Sequence, residues 1–329
     1  MTVLVTGASG FLGSHIAEQL SAAGRSVRAL VRPSSDQRFL SGLRHVELSY
    51  GSVDDPGSCT AALAGVTEVI HAAGLVKARS ATEFLRVNTE GTEHLISAAA
   101  KSGSVRRFVF VSSQAAGGPS DRRGTAVAVG TESEPVTAYG RSKLAAEHLV
   151  RAEKAHVPSV IIRPPAIYGP RDKEILVFFK AVKSGVLPLT NPPQAKYSMI
   201  YGPDCAAACI RALDAQVESG QVLYVEDGHP ISFGEMIAQV EAAVGKKAWL
   251  RVPLPQAVVR GAATLSELYG KATNQAVMLT RDKCNELHEM GGWVCDGSLA
   301  RTLLDWQPRV QFAEGVRLTA DWYRQAGWL

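Results

Sequence analysis

The stretch Tyr139-Gly-Arg-Ser-Lys143 sets a phenol and an ammonium four residues apart. On a helix that spacing puts both side chains on one face. A phenol titrates at about pH 10 and is a poor base in neutral water. A lysine ammonium, joined by a second cation such as an oxidised nicotinamide, favours the phenolate and lowers that value. Tyr139 is then able to give a proton to a nascent alkoxide, or to take one from an alcohol. Lys143 is also placed to hold ribose hydroxyls. A further hydroxyl must orient the reacting oxygen, and Ser112 and Ser113 stand at the end of the apolar run 106–113. The alternative is two residues that merely share a helix face, since the spacing alone is common.

A second constellation supplies the context. "VTGASGFLGSH" places Gly7, Gly10 and Gly13 directly after a β-branched run and at the start of a helical pattern. In that setting Gly7 permits a tight turn, Gly10 lets backbone approach a pyrophosphate, and Gly13 lets the helix pack against the strand. The phosphates then meet free N–H groups at the helix start. The end of the second strand chooses between nicotinamide cofactors. A carboxylate there binds a ribose 2′-hydroxyl, and an arginine accommodates a 2′-phosphate. "ALVRPSSD" offers Val31 and Arg32, with no carboxylate before Asp36. NADP(H) is therefore the expected cofactor, with NAD(H) as the alternative.

These residues need a scaffold. Short β-branched runs at 2–6, 26–32, 45–51, 67–74, 106–113 and 158–165 alternate with helical patterns at 11–23, about 82–101 and from Tyr139 onward. Near-continuous apolar strands separated by helices imply a parallel sheet covered on both faces. The expected fold is α/β, a doubly wound Rossmann sheet over 1–168. A smaller, partly helical substrate lobe is expected over 169–329, with about 200–228 returning to the first domain. Ligands of such sheets bind at the carboxyl ends of the strands.

Composition excludes several classes. The 329 residues are 46% hydrophobic and 20% charged with a formal charge of +4, and the basic residues are interleaved with acids. That is a globular chain with no nucleic-acid footprint. No apolar run is long enough to span a membrane. The amphipathic stretch 255–272 allows peripheral membrane contact, though a helix packed on the domain is the expected reading. The N-terminus lacks the charged and apolar regions of a signal peptide. Five cysteines without a CxxC pair point to a reducing, cytoplasmic setting. Cys205 and Cys209 are spaced as two metal ligands or as two small core residues. The core reading is expected, and no metal is assigned.

"TGASGFLG", "HAAG", "VNTEGT", "FVFVSS", "YGRSK" and "RPPAIYGP" occur in this order and are joined by the closing run from "DWQP" to the C-terminus. Across nearly its whole length the chain resembles the extended short-chain dehydrogenase/reductase superfamily. It looks like the branch with 3β-hydroxysteroid dehydrogenases and dihydroflavonol reductases. The resemblance implies a catalytic Ser113, Tyr139 and Lys143, Ser113 being the second serine of its pair. It implies a cofactor cradle of Gly7, Gly10, Phe11, Leu12, Gly13, Arg32, Ser52, Val53, Ala72, Ala73, Gly74, Asn88, Tyr139, Lys143, Pro164 and Ala166. Substrate contacts are expected from Ser113, Lys77, Phe178 and Tyr197. It also implies a homodimer through the helix bearing Tyr139 and the one before it.

Two departures stand out. Ser52 occupies the place where the family often has an aspartate for the adenine amine. Sugar-nucleotide members usually carry an arginine near the position held here by Tyr197 and Ser198, while Asp204 is expected to cap the following helix. The run 175–199 contains no arginine and is rich in apolar side chains. The expected activity is therefore the interconversion of a ketone and a secondary alcohol on a small apolar, steroid-, quinone- or polyketide-like substrate. The alternatives are a sugar-nucleotide epimerase or dehydratase, and a non-catalytic dinucleotide sensor. Gln114, where a dehydratase commonly has an acidic pair, weighs against dehydration. The complete Ser/Tyr/Lys set weighs against a sensor.

Overall fold

The computed structural model describes residues 1–121, 123–273, 277, 280, 282, 284 and 292–329. Its centre is a seven-stranded parallel sheet. The strands in chain order are β1 (Thr2–Thr6), β2 (Ser26–Val31), β3 (Val46–Tyr50), β4 (Glu68–His71), β5 (Arg107–Val111), β6 (Ser159–Arg163) and a late strand (Gln221–Tyr224). Across the sheet the order is β3-β2-β1-β4-β5-β6 and then Gln221–Tyr224. The chain reverses direction of growth between β1 and β4, which opens a crevice at their carboxyl ends. β4 and β6 are buried along their whole length, whereas β3 at the edge has no buried residue and exposes Leu48 and Tyr50. This is why the central strands carry adjacent apolar residues in their middles instead of alternating with polar ones. The fold class is the α/β Rossmann arrangement that the periodicity indicates.

Two apolar clusters cover the two faces. On one, α1 (Phe11–Ala22) and the helix Gly202–Asp214 pack together, with Ile16, Leu20, Cys205, Ala206 and Cys209 at full burial. The two cysteines are core residues of that face. On the other, α2 (Pro56–Ala62), α4 (Gly91–Ser102) and α6 (Ala138–Ala152) bring Cys59, Leu95, Ile96 and Val150 against Phe108 and Phe110 of β5. A third cluster, around Tyr168, Phe179, Met199, Phe233, Ile237 and Tyr323, lies outside the sheet.

Three expectations need correction in detail. The helical pattern at 82–101 is not one α-helix. A short helical turn, α3 (Ala81–Phe84), passes into a π-helical turn, Leu85–Glu90, before α4 begins. The helix of the Tyr–Lys pair starts one residue early, at Ala138, where the Thr137 hydroxyl accepts the N–H of Gly140 at 3.0 Å. Asp204 does not cap its own helix. Its carboxylate accepts the N–H groups of Arg309 and Val310, at 3.0 and 2.9 Å, and clamps the chain that leads into the C-terminal helix Phe312–Gln325. Its own helix begins at Tyr201 with a proline in the first turn and no side-chain cap, and a first-turn carboxylate is equally favoured there by the helix dipole.

Candidate active site

The ends of β1 and β4 meet first. Gly7 takes φ +68°, which an L side chain adopts only with strain, and a Cβ there would lie 2.8 Å from the carbonyl oxygen of Ala72 and the nitrogen of Ala73. The glycine turn and the loop after β4 are therefore pressed together. Gly10 donates to the Gly7 carbonyl at 2.9 Å and starts α1 without a side-chain cap. A Cβ on Gly13 would collide with that same carbonyl, so α1 lies directly on the turn. Phe11 abuts Gly202, and Leu12 packs on the first cluster. Uncapped N–H groups at a helix start, beside glycines that leave the backbone open, are what a pyrophosphate requires.

A buried histidine fixes the geometry behind this turn. The Thr6 hydroxyl accepts the Ala73 N–H at 3.1 Å and donates to His71 Nδ1 at 2.7 Å. His71 Nε2 then donates to Thr92 Oγ1 at 3.0 Å, because that hydroxyl gives its own proton to the Asn88 carbonyl at 2.6 Å. Burial first, then the nearby Lys143 charge, hold the imidazole neutral by pushing it down to about 3. The chain of bonds joins the loop at Ala73 to the π-helical turn that carries Asn88.

Asn88 itself is buried. Its carbonyl oxygen accepts the Leu75 N–H at 2.7 Å, and its amide donates to the Leu75 carbonyl and to Ser142 Oγ, both at 3.0 Å. Ser142 belongs to α6, so the turn locks α6 to the loop after β4. Lys143 converges on the same place. Its ammonium donates to the Val111 carbonyl at 2.7 Å and sits 4.5 Å from the Phe110 ring. A Cβ on Gly74 would lie 3.1 Å from Asn88 Oδ1 and 3.6 Å from Lys143 Nζ. Burial pushes the Lys143 ammonium down to about 8, with Glu147 opposing. Tyr139 is half-buried on the same helix, its ring 5.9 Å from Phe84.

The two serines diverge. Ser112 is buried and donates to Glu147 at 2.5 Å. Glu147 also receives Arg163 through two bonds of 2.8 and 2.7 Å, and Arg163 reaches Tyr224 at 2.8 Å and Ser133 at 3.0 Å. Ser113 is half-buried and starts α5 (Gln114–Gly117), accepting the Ala115 N–H at 3.1 Å. α5 rests on the first turn of α6, for a Cβ on Gly140 would collide with the Ala115 carbonyl. Ser113 and Tyr139 thus open two helices in contact. Gln114 is buried, its N–H donates to the Pro164 carbonyl at 2.8 Å, and its amide nitrogen has no partner. Pro164 is buried and Ala166 exposed at the carboxyl end of β6.

Arg32 is exposed at the end of β2, and its guanidinium makes no ion pair or hydrogen bond among the described residues. Val53 is buried against Gly91, and Ser52 donates to the carboxylate of Asp54, which also pairs with Arg86. A carboxylate therefore stands beside Ser52, although it is supplied two residues later. The "YGSVDD" run carried that signal. The Glu147–Arg163 pair is legible in retrospect as two charges within otherwise apolar segments. Of the run 175–199, Leu176, Phe179, Val182, Leu187 and Met199 form the third cluster's own core. Phe178 and Tyr197 are half-buried, and their rings lie 6.3 and 6.5 Å from Phe233. Lys77 is ion-paired with Glu174 at 2.5 Å, and Lys180, Lys183 and Lys196 are exposed.

Residues 3–225 match the model of the NAD dependent epimerase/dehydratase family. The chain belongs to this family. Ceramide reductase of Caulobacter vibrioides is 33% identical over 332 residues, spanning 99% of this chain and 96% of that one. UDP-glucose 4-epimerase of Vibrio cholerae is 28% identical over 342 residues, spanning 99% and 96%. A 3 beta-hydroxysteroid dehydrogenase/Delta 5-->4-isomerase of Mycobacterium tuberculosis is 29% identical over 285 residues, spanning 80% and 74%. Like other members of the epimerase/dehydratase family, this chain is an NAD(P)-dependent enzyme of the extended short-chain dehydrogenase/reductase type. The resemblance seen in its motifs holds. The residues of the crevice fit a dinucleotide: an uncapped helix start, a turn with glycine at both ends, and a buried ammonium beside an asparagine.

Proposed function

We propose that this enzyme interconverts a ketone and a secondary alcohol on an apolar substrate, using NADP(H) in preference to NAD(H). The reading is supported by Lys143 reaching the carboxyl end of β5, by Ser113 following that strand, and by Tyr139 standing one turn before Lys143 on α6, with an amide rather than a carboxylate at Gln114. The bound cofactor supplies or accepts a hydride. Ser113 holds the substrate oxygen by its hydroxyl. Tyr139 donates its phenolic proton to that oxygen as negative charge develops on it. The Lys143 ammonium stabilises the resulting phenolate, and Asn88 fixes α6 through Ser142 so that phenol and ammonium keep their places. Exposed, unpaired Arg32 receives the 2′-phosphate through charge-assisted bonds.

The reductase relative supports the carbonyl chemistry, and Phe178, Tyr197 and Phe233 support an apolar substrate. Sugar-nucleotide epimerisation is the second reading, favoured by the full-length likeness to the epimerase. The deciding experiment measures NADPH consumption with a panel of long-chain and steroid ketones, alongside calorimetric titration of the cofactor-loaded enzyme with UDP- and dTDP-sugars. Turnover of an apolar ketone with no sugar-nucleotide binding is expected. Micromolar binding of a nucleotide sugar, with no ketone reduced, overturns the reading and favours the epimerase.

A further inference from the structure

The helix Gln256–Thr273 has two apolar faces. Val259 and Ala263 are buried with Leu254 and Cys284 in a small cluster. Roughly opposite, Val258, Leu265, Leu268 and Tyr269 are 55%, 69%, 57% and 61% exposed. With Gly261, Ala262 and Ala272, all exposed, they recur at three- and four-residue steps and make one stripe along the whole helix. Scattered exposed leucines need no explanation, but a continuous apolar stripe on an ordered helix does. The chain leading into the helix repeats the chemistry. Lys246 and Lys247 are exposed, and Trp249 and Leu250 follow them, with the indole 74% exposed.

We infer that this helix, with Trp249, is a docking face for an anionic lipid bilayer, lying in the plane of the interface. Charge decides the occupant. Between Gly245 and Thr273 the basic residues are Lys246, Lys247, Arg251, Arg260 and Lys271, and the single acid is Glu267. Arg251 is committed to the buried Glu241. The remaining bases outnumber the one acid four to one, and a second copy of the chain seated on the stripe would bring mostly like charges together. A bilayer bearing anionic headgroups meets the same residues with opposite charge, while the apolar stripe and the indole enter the headgroup–acyl boundary. Lysine stems and a tryptophan ring are the side chains that span such a boundary. No helix among the described residues is long and apolar enough to cross a membrane, so the contact is with the surface.

The test is flotation of the full-length enzyme with phosphatidylcholine vesicles, with and without phosphatidylglycerol. Binding about tenfold stronger to the anionic vesicles is expected, following the contribution of a few basic residues near a charged surface. Leu265→Glu combined with Leu268→Glu changes only exposed positions and should lower that binding at least about tenfold. Cofactor binding, followed by NADPH fluorescence, should be unchanged in the double variant and serves as its folding control. Because no substrate is used, the result is independent of the proposed reaction. Equal affinity for both vesicles, no binding to either, or binding that survives the double substitution overturns the inference. Sedimentation without lipid supplies the remaining outcome. A dimer that the double substitution dissociates would assign the stripe to a second copy and overturn the bilayer assignment.

Discussion

Lys143 Nζ lies 2.7 Å from the carbonyl oxygen of Val111, the last residue of β5. The bond draws a buried ammonium to the strand end from which Ser112 and Ser113 continue. Burial disfavours the charged form, and the ammonium is pushed down from its ordinary value to about 8. The unfolded chain thus binds more protons than the folded one between about pH 8 and 10.5, so stability rises with pH across that window and the cost is complete below it. Lys143→Met should therefore stabilise the fold at pH 7, by an amount of order 1 kcal/mol after the lost hydrogen bond is counted. It should also abolish turnover. Thermal denaturation at pH 7 checks the first part, and a lower midpoint would show that the ammonium's bonds outweigh its desolvation.

Tyr139→Phe removes only the phenolic hydroxyl. Turnover should fall about 100-fold or more where hydride transfer limits the rate, with cofactor affinity largely kept. Stopped-flow single-turnover rates are the measurement. A variant with near-normal rates would remove Tyr139 from the chemistry.

Ser113→Ala and Ser112→Ala should fail in different ways. Ser113 is half-buried, and its loss should lower kcat while costing only the about 0.5–2 kcal/mol of a lost helix cap. Ser112 donates to the buried Glu147 that also holds Arg163. Its replacement should cost about 1–3 kcal/mol of stability, the range for an unsatisfied buried partner, with kcat less affected. Denaturant midpoints and kcat measured on both variants separate the two roles, and an exchange of phenotypes would reassign the catalytic hydroxyl.

Arg32→Ala should erode the preference for NADPH over NADH by about 10- to 150-fold, the worth of a charge-assisted bond. The ratio of dissociation constants is the readout. A wild-type enzyme that binds NADH more tightly would leave Arg32 without this role.

Asp227 is buried, and burial raises its carboxyl to about 6. The folded state then holds the proton more tightly than the unfolded chain between about pH 4 and 6, and its contribution falls as pH rises through that range. Asp227→Asn should gain stability relative to wild type from pH 4 to pH 6, by roughly 1–3 kcal/mol, and level off above. Parallel melting curves across this range test it, and a pH-independent difference would refute the assignment.

Much of the fold was legible because its signals are local. The glycine turn reads from Gly7, Gly10 and Gly13, and the crowding at Gly7 and Gly13 is the steric reason expected of those two. The adjacent apolar residues inside β4 and β6, Val69–Ile70 and Val160–Ile162, announce burial on both faces. Residues whose meaning depends on distant partners were harder to read. Asp204 read as a helix cap, because its actual partners Arg309 and Val310 lie a hundred residues away. His71 carries no visible role until Thr6 and Thr92 are brought to its two nitrogens. Tyr197 and Phe178 were legible as apolar, but only the packing around Phe233 separates them from the buried core of their run.

The π-helical turn Leu85–Glu90 gives the backbone a fixed length. Its Gly91 N–H reaches back five residues to Arg86, so this stretch carries one residue more than an α-helix would. Deleting a single residue here would let the turn relax to ordinary helix. Everything on its N-terminal side would then swing by about 100° relative to α4. Phe84 would leave the face of Tyr139, and Asn88 would lose either Leu75 or Ser142. Point substitutions elsewhere in the helix are graded in effect, but this turn is intolerant of a change in count. Such turns are rare and are concentrated at functional sites. Insertions and deletions among natural variants of this chain should accordingly spare Leu85–Glu90.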